Sequence, residues 1–311
     1  MRPRPTTVIG AVAATLALYA CVQMARAARI EWRDFHPPRH AIARPDDAAA
    51  DLSEVAFQSL DGSELRGWWL PSRNGAAMVF VHGSSGDRRD LYPQALLLHQ
   101  QGVGALLFDM PGHGESAGTV QWSNEARGAV RAALRFAGAQ SGVSSVGAYG
   151  FSMGAYTVAQ VAGDGAQVAG DGARSAGDAA ARNPGVPAFI VLDGVPSDGD
   201  ELTRLQYGRL GPFTSLAAVW TDRLCGFRAA PLPLATIARY SGPLLFIIGE
   251  GDAIVPAAMQ EAVAHAAPRA PSICRAPSGH GDWLAQSNTC RAALRSFLQE
   301  QTTSGHRAEA R

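Results

Sequence analysis

Short apolar runs without polar alternation recur along this chain, separated by longer stretches that carry apolar residues at helical spacing. Ala77-Met78-Val79-Phe80-Val81, Leu106-Leu107-Phe108, Val146-Gly147-Ala148-Tyr149, Phe189-Ile190-Val191-Leu192 and Pro243-Leu244-Leu245-Phe246-Ile247-Ile248 are such runs. Continuous apolar character is what a strand needs when both of its faces are covered. Residues 91–101, 124–140, 257–267 and 289–301 read as helices. The alternation predicts a right-handed βαβ series, an α/β fold with a mostly parallel central sheet and helices on both faces. The first folded element differs: 54–60 and 64–70 flank Asp61-Gly62-Ser63 and read as an antiparallel hairpin.

Three stretches depart from this pattern. Val8 to Met24 is a charge-free, largely apolar run of 17 residues behind Arg2 and Arg4; as a helix it would be about 25 Å long, enough for a thin bilayer. Residues 1–28 are therefore expected to be a signal anchor that leaves the following domain outside the cytoplasm. A cleaved signal ending at Ala25-Arg26-Ala27 and a lipoprotein signal at Leu18-Tyr19-Ala20-Cys21 are the competing readings. Residues 29–52, rich in Arg, Pro and Ala, read as a stalk. Residues 162–186 repeat Ala-Gly-Asp-Gly with a period of seven and read as a flexible insertion; glycine occupies the seam positions that a coiled coil would fill with apolar residues. Residues 197–240 exceed an ordinary connection and are expected to form a small cap, in which Leu202, Leu205, Tyr207, Leu210, Phe213, Leu216, Val219 and Trp220 either line an acyl or alkyl pocket or pack the cap onto the domain. The main domain is placed at 53–303, and 304–311 reads as a disordered tail.

Composition narrows the chemistry. Of the 311 residues, 47% are hydrophobic and 17% charged, enough for a large single core, and the formal net charge is zero, so no basic field marks a nucleic-acid partner. All 27 basic residues are arginine, which removes Schiff-base chemistry from consideration. The Asp-Gly repeats lack a calcium-loop ligand series, and no metal or cofactor is called for. Cys274 and Cys290, to either side of the His280 loop, could pair in an oxidising compartment.

The candidate catalytic residues stand at strand ends. Gly150-Phe151-Ser152-Met153-Gly154 follows one apolar run and opens the helix-compatible stretch 155–159. A serine on so sharp a strand-to-helix turn needs small residues two positions to either side, which Gly150 and Gly154 supply. A serine nucleophile needs an imidazole base, and the base an acid that fixes its tautomer. Downstream, Asp252 follows the run ending at Ile248, and His280 lies in Ser278-Gly279-His280-Gly281-Asp282-Trp283. Asp193, after Leu192, is the alternative acid. Upstream, His82-Gly83-Ser84-Ser85-Gly86 follows Val81, and Asp109-Met110-Pro111-Gly112-His113-Gly114-Glu115-Ser116 follows Phe108.

In these five ordered motifs the chain resembles the α/β-hydrolase superfamily over about residues 53–300, and within it the membrane-anchored, serine-aminopeptidase-like branch. The resemblance implies the α/β-hydrolase fold and acyl transfer to water. His280, oriented by Asp252, would take the proton of Ser152, which attacks an ester, thioester or amide; the backbone N–H groups of Ser84 and Met153 would form the oxyanion hole. The implied partners are a small-molecule acyl substrate, lipid-like among the options, and a membrane. A cofactor-free perhydrolase and a non-catalytic binding protein on the same fold are the alternatives.

Overall fold

The computed structural model describes residues 5–119, 124–168, 184–208, 211–224 and 232–309. Among these residues eight strands form one sheet in the order β1-β2-β4-β3-β5-β6-β7-β8. β1 (Ser53–Gln58) and β2 (Glu64–Leu70) make the expected antiparallel hairpin, and β2 pairs antiparallel with β4 (Gly104–Phe108). From β4 onward every pairing is parallel, through β3 (Ala76–Val81), β5 (Ser145–Phe151), β6 (Ile190–Asp193), β7 (Leu244–Gly249) and β8 (Ser272–Ala276).

The apolar runs are the central strands because each feeds two cores. In β3, Ala77, Val79 and Val81 join the core on one face of the sheet, while Ala76, Met78 and Phe80 join the core on the other. The first core is roofed by α3 (Asn124–Gly138), α4 (Met153–Val168) and α8 (Ala257–His265); the second by α2 (Tyr92–His99), the short α9 (Trp283–Gln286) and α10 (Asn288–Glu309). Cys274 of β8 and Cys290 of α10 form a disulfide with their Cα atoms 5.6 Å apart. It closes the segment that carries His280, a loop for which cross-linking removes about 3 kcal/mol of unfolded-state entropy. Cys274→Ser with Cys290→Ser should lower the unfolding free energy by roughly that amount, read by chemical denaturation; an unchanged midpoint would contradict it.

Several boundaries lie elsewhere than the sequence suggests. Residues 162–168, read as the start of the flexible insertion, continue α4: Ala162 is buried, a Cβ on Gly163 would stand 2.3 Å from the Thr236 carbonyl oxygen, and Asp164 pairs with Arg127 and Arg131 at 3.0 Å each. Close packing and a shared carboxylate hold this part of the repeat in place; residues 169–183 lie outside the described residues. Helix α1 (Pro5–Phe35) runs past the expected end of the leader into the stalk, and α10 continues through most of the segment read as a disordered tail. The cap holds α5 (Gly199–Gly208), α6 (Pro212–Leu224) and α7 (Pro233–Ile237). Ala27 of α1 is buried in a small cluster with Tyr207, Ala217 and Ala218 of the cap, so the N-terminal helix is packed against the cap along its C-terminal part.

Candidate active site

The turn between β5 and α4 places Ser152 at φ +51°; among the described residues only Ser85, at +58°, is another non-glycine with positive φ. Left-handed backbone at a serine costs on the order of 1 kcal/mol and persists only where the surroundings impose it. Here they do. A Cβ on Gly154 would stand 2.0 Å from the Val81 carbonyl oxygen and one on Gly150 2.5 Å from that of Gly154, so neither position admits a side chain. The Ser152 N–H donates to the Asp193 carbonyl at 2.9 Å, tying the elbow to the end of β6.

The loop after β7 holds Asp252 with its carboxylate fully engaged. Oδ1 accepts the N–H groups of Ile254 and Val255 at 2.9 and 2.8 Å. Oδ2 accepts from Gln260 Nε2 at 3.3 Å and pairs with His280 Nδ1 at 2.7 Å. With Nδ1–H on the carboxylate, the neutral imidazole is left with Nε2 as its basic nitrogen. Phe151 packs on the imidazole with ring centroids 4.7 Å apart, and a Cβ on Gly194 would come within 3.1 Å of His280 Cε1, so glycine there leaves room for the ring.

Asp193, the alternative acid, is engaged otherwise. Its Oδ2 accepts from Tyr149 Oη at 2.6 Å and from Trp283 Nε1 at 2.7 Å, an arrangement buried beneath the elbow. Burial raises its pKa to about 6 against the hydrogen bonds that lower it. A carboxyl whose folded pKa exceeds its unfolded value favours folding most when protonated, so this contribution declines as pH rises from about 4 through about 6. In Asp193→Asn the decline is absent, and the stability of the variant relative to the parent should climb across that window; a difference independent of pH would contradict the assignment.

The loop after β3 lies against the elbow, close enough that a Cβ on Gly83 would be 3.4 Å from Ser152 Cβ. His82 holds it: Nδ1–H donates to the Gly83 carbonyl at 2.7 Å, and Nε2 accepts the Met110 N–H at 2.9 Å, which fixes the tautomer. Burial brings the pKa of His82 down to about 4 and that of His113, stacked edge-on against it, to about 3, so both are neutral struts at physiological pH. Asp109 is also structural: it accepts the N–H groups of Arg88 and Glu115 at 2.9 Å each.

Ser152, His280, Ser84, Phe151, Leu202 and Ile254 line one cavity of about 230 Å³ between the sheet edge and the cap. Met153 is the first residue of α4, directly after the serine. Of the apolar cap residues, Leu202 faces this cavity and Tyr207 packs on α1; Leu205, Phe213, Leu216 and Trp220 are exposed, and Leu210 lies outside the described residues. The cavity also takes in Glu31 and Asp222, which no sequence signal singles out, because a lone acid in a stalk or a cap helix reads as solvated surface.

Comparison with known proteins agrees with this architecture. Rv2307c, an uncharacterized protein of Mycobacterium tuberculosis, is 29% identical over 259 residues, 81% of each chain. YfhR of Salmonella typhi, also uncharacterized, is 31% identical over 97 residues, 29% of this chain and 32% of the relative, so the match spans about a third of that protein's length. Among solved structures, the Pyrococcus furiosus esterase Pf2001 superposes with a TM-score of 0.64 at 18% identity, over 85% of this chain and 98% of the esterase. The sequence pattern of the alpha/beta hydrolase family matches residues 78–292, from the third strand to the last helix, and the chain belongs to that family.

Proposed function

We propose that this protein is a serine-dependent acyl hydrolase, cleaving a carboxylic ester, thioester or amide through an acyl-enzyme on Ser152. The observation that carries the reading is the pairing of His280 Nδ1 with Asp252 Oδ2 at 2.7 Å, with His280 and the strained Ser152 opening on one cavity. His280 Nε2 takes the serine proton as Oγ attacks the carbonyl, and the Asp252 carboxylate steadies the resulting imidazolium. Oxyanion charge falls to the N–H groups of Ser84 and Met153, the latter at the N-terminal end of α4 where the helix dipole favours negative charge. Collapse expels the alcohol, thiol or amine with the proton from His280; water, deprotonated by the same nitrogen, then releases the acid. Purified full-length protein should show a burst of leaving group from a chromogenic ester, equal to the enzyme present, wherever deacylation is the slower step. Absence of turnover on ester, thioester and aminoacyl substrates alike would contradict the reading.

In this proposal α1 anchors the protein with the catalytic domain extracytoplasmic. Helix α1 carries one apolar span, Val8–Arg33, in which no residue before Ala27 is buried by the rest of the chain. Beside it, Phe213, Leu216, Trp220 and Leu224 form an exposed apolar row on α6, at spacings of three, four and four, suited to the lipid interface. Membrane fractionation and protease protection of the intact protein test the placement; recovery as an intact cytoplasmic protein would contradict it.

A further inference from the structure

The N-terminal helix reaches the catalytic cavity through a pair of carboxyl groups. Glu31 on α1 and Asp222 on α6 each lie one turn beyond the residues that pack these helices together, Ala27 and Ala218. Both acids line the cavity that contains Ser152 and His280, and both are buried, at 7% and 3% exposure. The Glu31 carboxyl hydrogen-bonds to that of Asp222, and Thr203 Oγ1 donates to Asp222 Oδ2 at 2.9 Å. Asp222 Oδ1 is buried without a hydrogen-bond partner among the described residues.

The charge around this pair is one-sided. A third acid, Asp90, lines the same cavity, and among the described residues no arginine does. Among the described residues His280 is the one lining group able to carry positive charge, and it is turned to Asp252. Arg223, the neighbour of Asp222, is turned to Asp200 at 2.5 Å. Two carboxyl groups in contact away from water cannot both ionise unless a cation lies between or beside them; otherwise one keeps its proton and donates it to the other, and burial raises the pKa of Asp222 against the hydrogen bonds of Glu31 and Thr203, which lower it. An ammonium group in the cavity beside the pair would supply both the donors and the positive charge that two acids in contact call for.

We propose that Glu31 and Asp222 form the cation-receiving end of the substrate cavity, so that the preferred acyl substrate carries an ammonium group bound there while its carbonyl reaches Ser152. The inference rests on the hydrolase reading above and names its substrate class. It also makes α1 part of the site: cleavage after Ala27 would leave Glu31 in place, whereas loss of the whole helix would remove one of the two acids.

The test compares matched substrates with the full-length protein. The p-nitrophenyl esters of aminohexanoate and heptanoate place an ammonium or a methyl at the end of the acyl chain; 6-aminohexyl acetate and heptyl acetate do the same in the leaving group. One charge-assisted contact is worth about tenfold or more in binding, so the cationic member of at least one pair should have a kcat/KM about tenfold higher, expressed in KM. Glu31→Gln and Asp222→Asn should each bring the ratio within the pair toward unity, and Glu31→Asp should restore part of it. The ratio cancels any loss of folded enzyme. Should both variants fail to fold, inhibition of the parent protein by hexylammonium, set against hexanol, reads the same site, and equal inhibition by the two overturns the proposal. Turnover of both pairs without cation preference overturns it while leaving the hydrolase standing; no turnover of either pair, with Ser152 unlabelled by a fluorophosphonate, removes the hydrolase reading itself.

Discussion

Ser152→Ala should lower kcat by roughly four to six orders of magnitude, and His280→Ala by a similar factor, with little further loss when the two are combined. The non-additivity follows from the mechanism. A serine hydroxyl without its base is a poor nucleophile, and a base without the serine has no proton to take. What survives either change is the contribution of binding and of the oxyanion donors, which stand on backbone N–H groups that neither substitution removes. The serine variant should retain its fold, since the elbow is held by the tight contacts of Gly150 and Gly154 and by the Ser152 N–H to Asp193 carbonyl bond. Far-ultraviolet circular dichroism beside the rate measurement separates lost chemistry from lost structure. A folded single variant that keeps near-parental turnover would contradict the assignment.

Asp252→Asn should cost about 10⁴ in kcat with substrate binding preserved. The asparagine can still accept the Ile254 and Val255 N–H groups through Oδ1, so its NH2 is presented to His280. An NH2 there donates to Nδ1, drives the proton to Nε2 and leaves the nitrogen that should accept the serine proton occupied. Asp193→Asn is the contrasting change. Its carboxyl is committed to Tyr149 and Trp283, and an amide oxygen can accept both bonds. The loss should be far smaller than at Asp252; a reversal of the two effects would move the acid to the end of β6.

The parallel strands and the three side chains of the candidate site were legible because each rests on a local signal. An apolar run with no alternation has few alternatives to a doubly covered strand. Gly-x-Ser-x-Gly after such a run specifies a turn that only glycines permit, and Asp252 and His280 follow in the order that acyl-transfer chemistry on this fold requires. β8 was not legible: in Ser272–Ala276 only Cys274 and Ala276 turn inward, and Arg275 breaks the apolar run, as befits a strand at the sheet edge. Nor was the continuation of α4 into the repeat, where Gly163 and Asp164 look like loop formers. What holds that turn is the Thr236 backbone and two arginines of α3, all remote in sequence. Glu31 and Asp222 were hidden for the same reason: their meaning comes from two helices some 190 positions apart in the chain that the fold sets side by side. Long-range packing of this kind leaves no local pattern to read.

The choice between Asp252 and Asp193 shows where geometry adds most. Both follow apolar strands, and both lie at the carboxyl edge of the sheet, where open α/β folds gather their chemistry. Only the side-chain partners separate them. One acid meets an imidazole, whereas the other meets a phenol and an indole.

The most direct measurement of the central claim is covalent labelling of the intact, purified protein with a fluorophosphonate, followed by peptide mass spectrometry. Phosphonylation requires a serine made nucleophilic by its base and an oxyanion site to receive the phosphoryl oxygen. The account predicts stoichiometric labelling at Ser152, abolished in Ser152→Ala and slowed by orders of magnitude in His280→Ala. Labelling at another serine, or none in a well-folded sample, would contradict it.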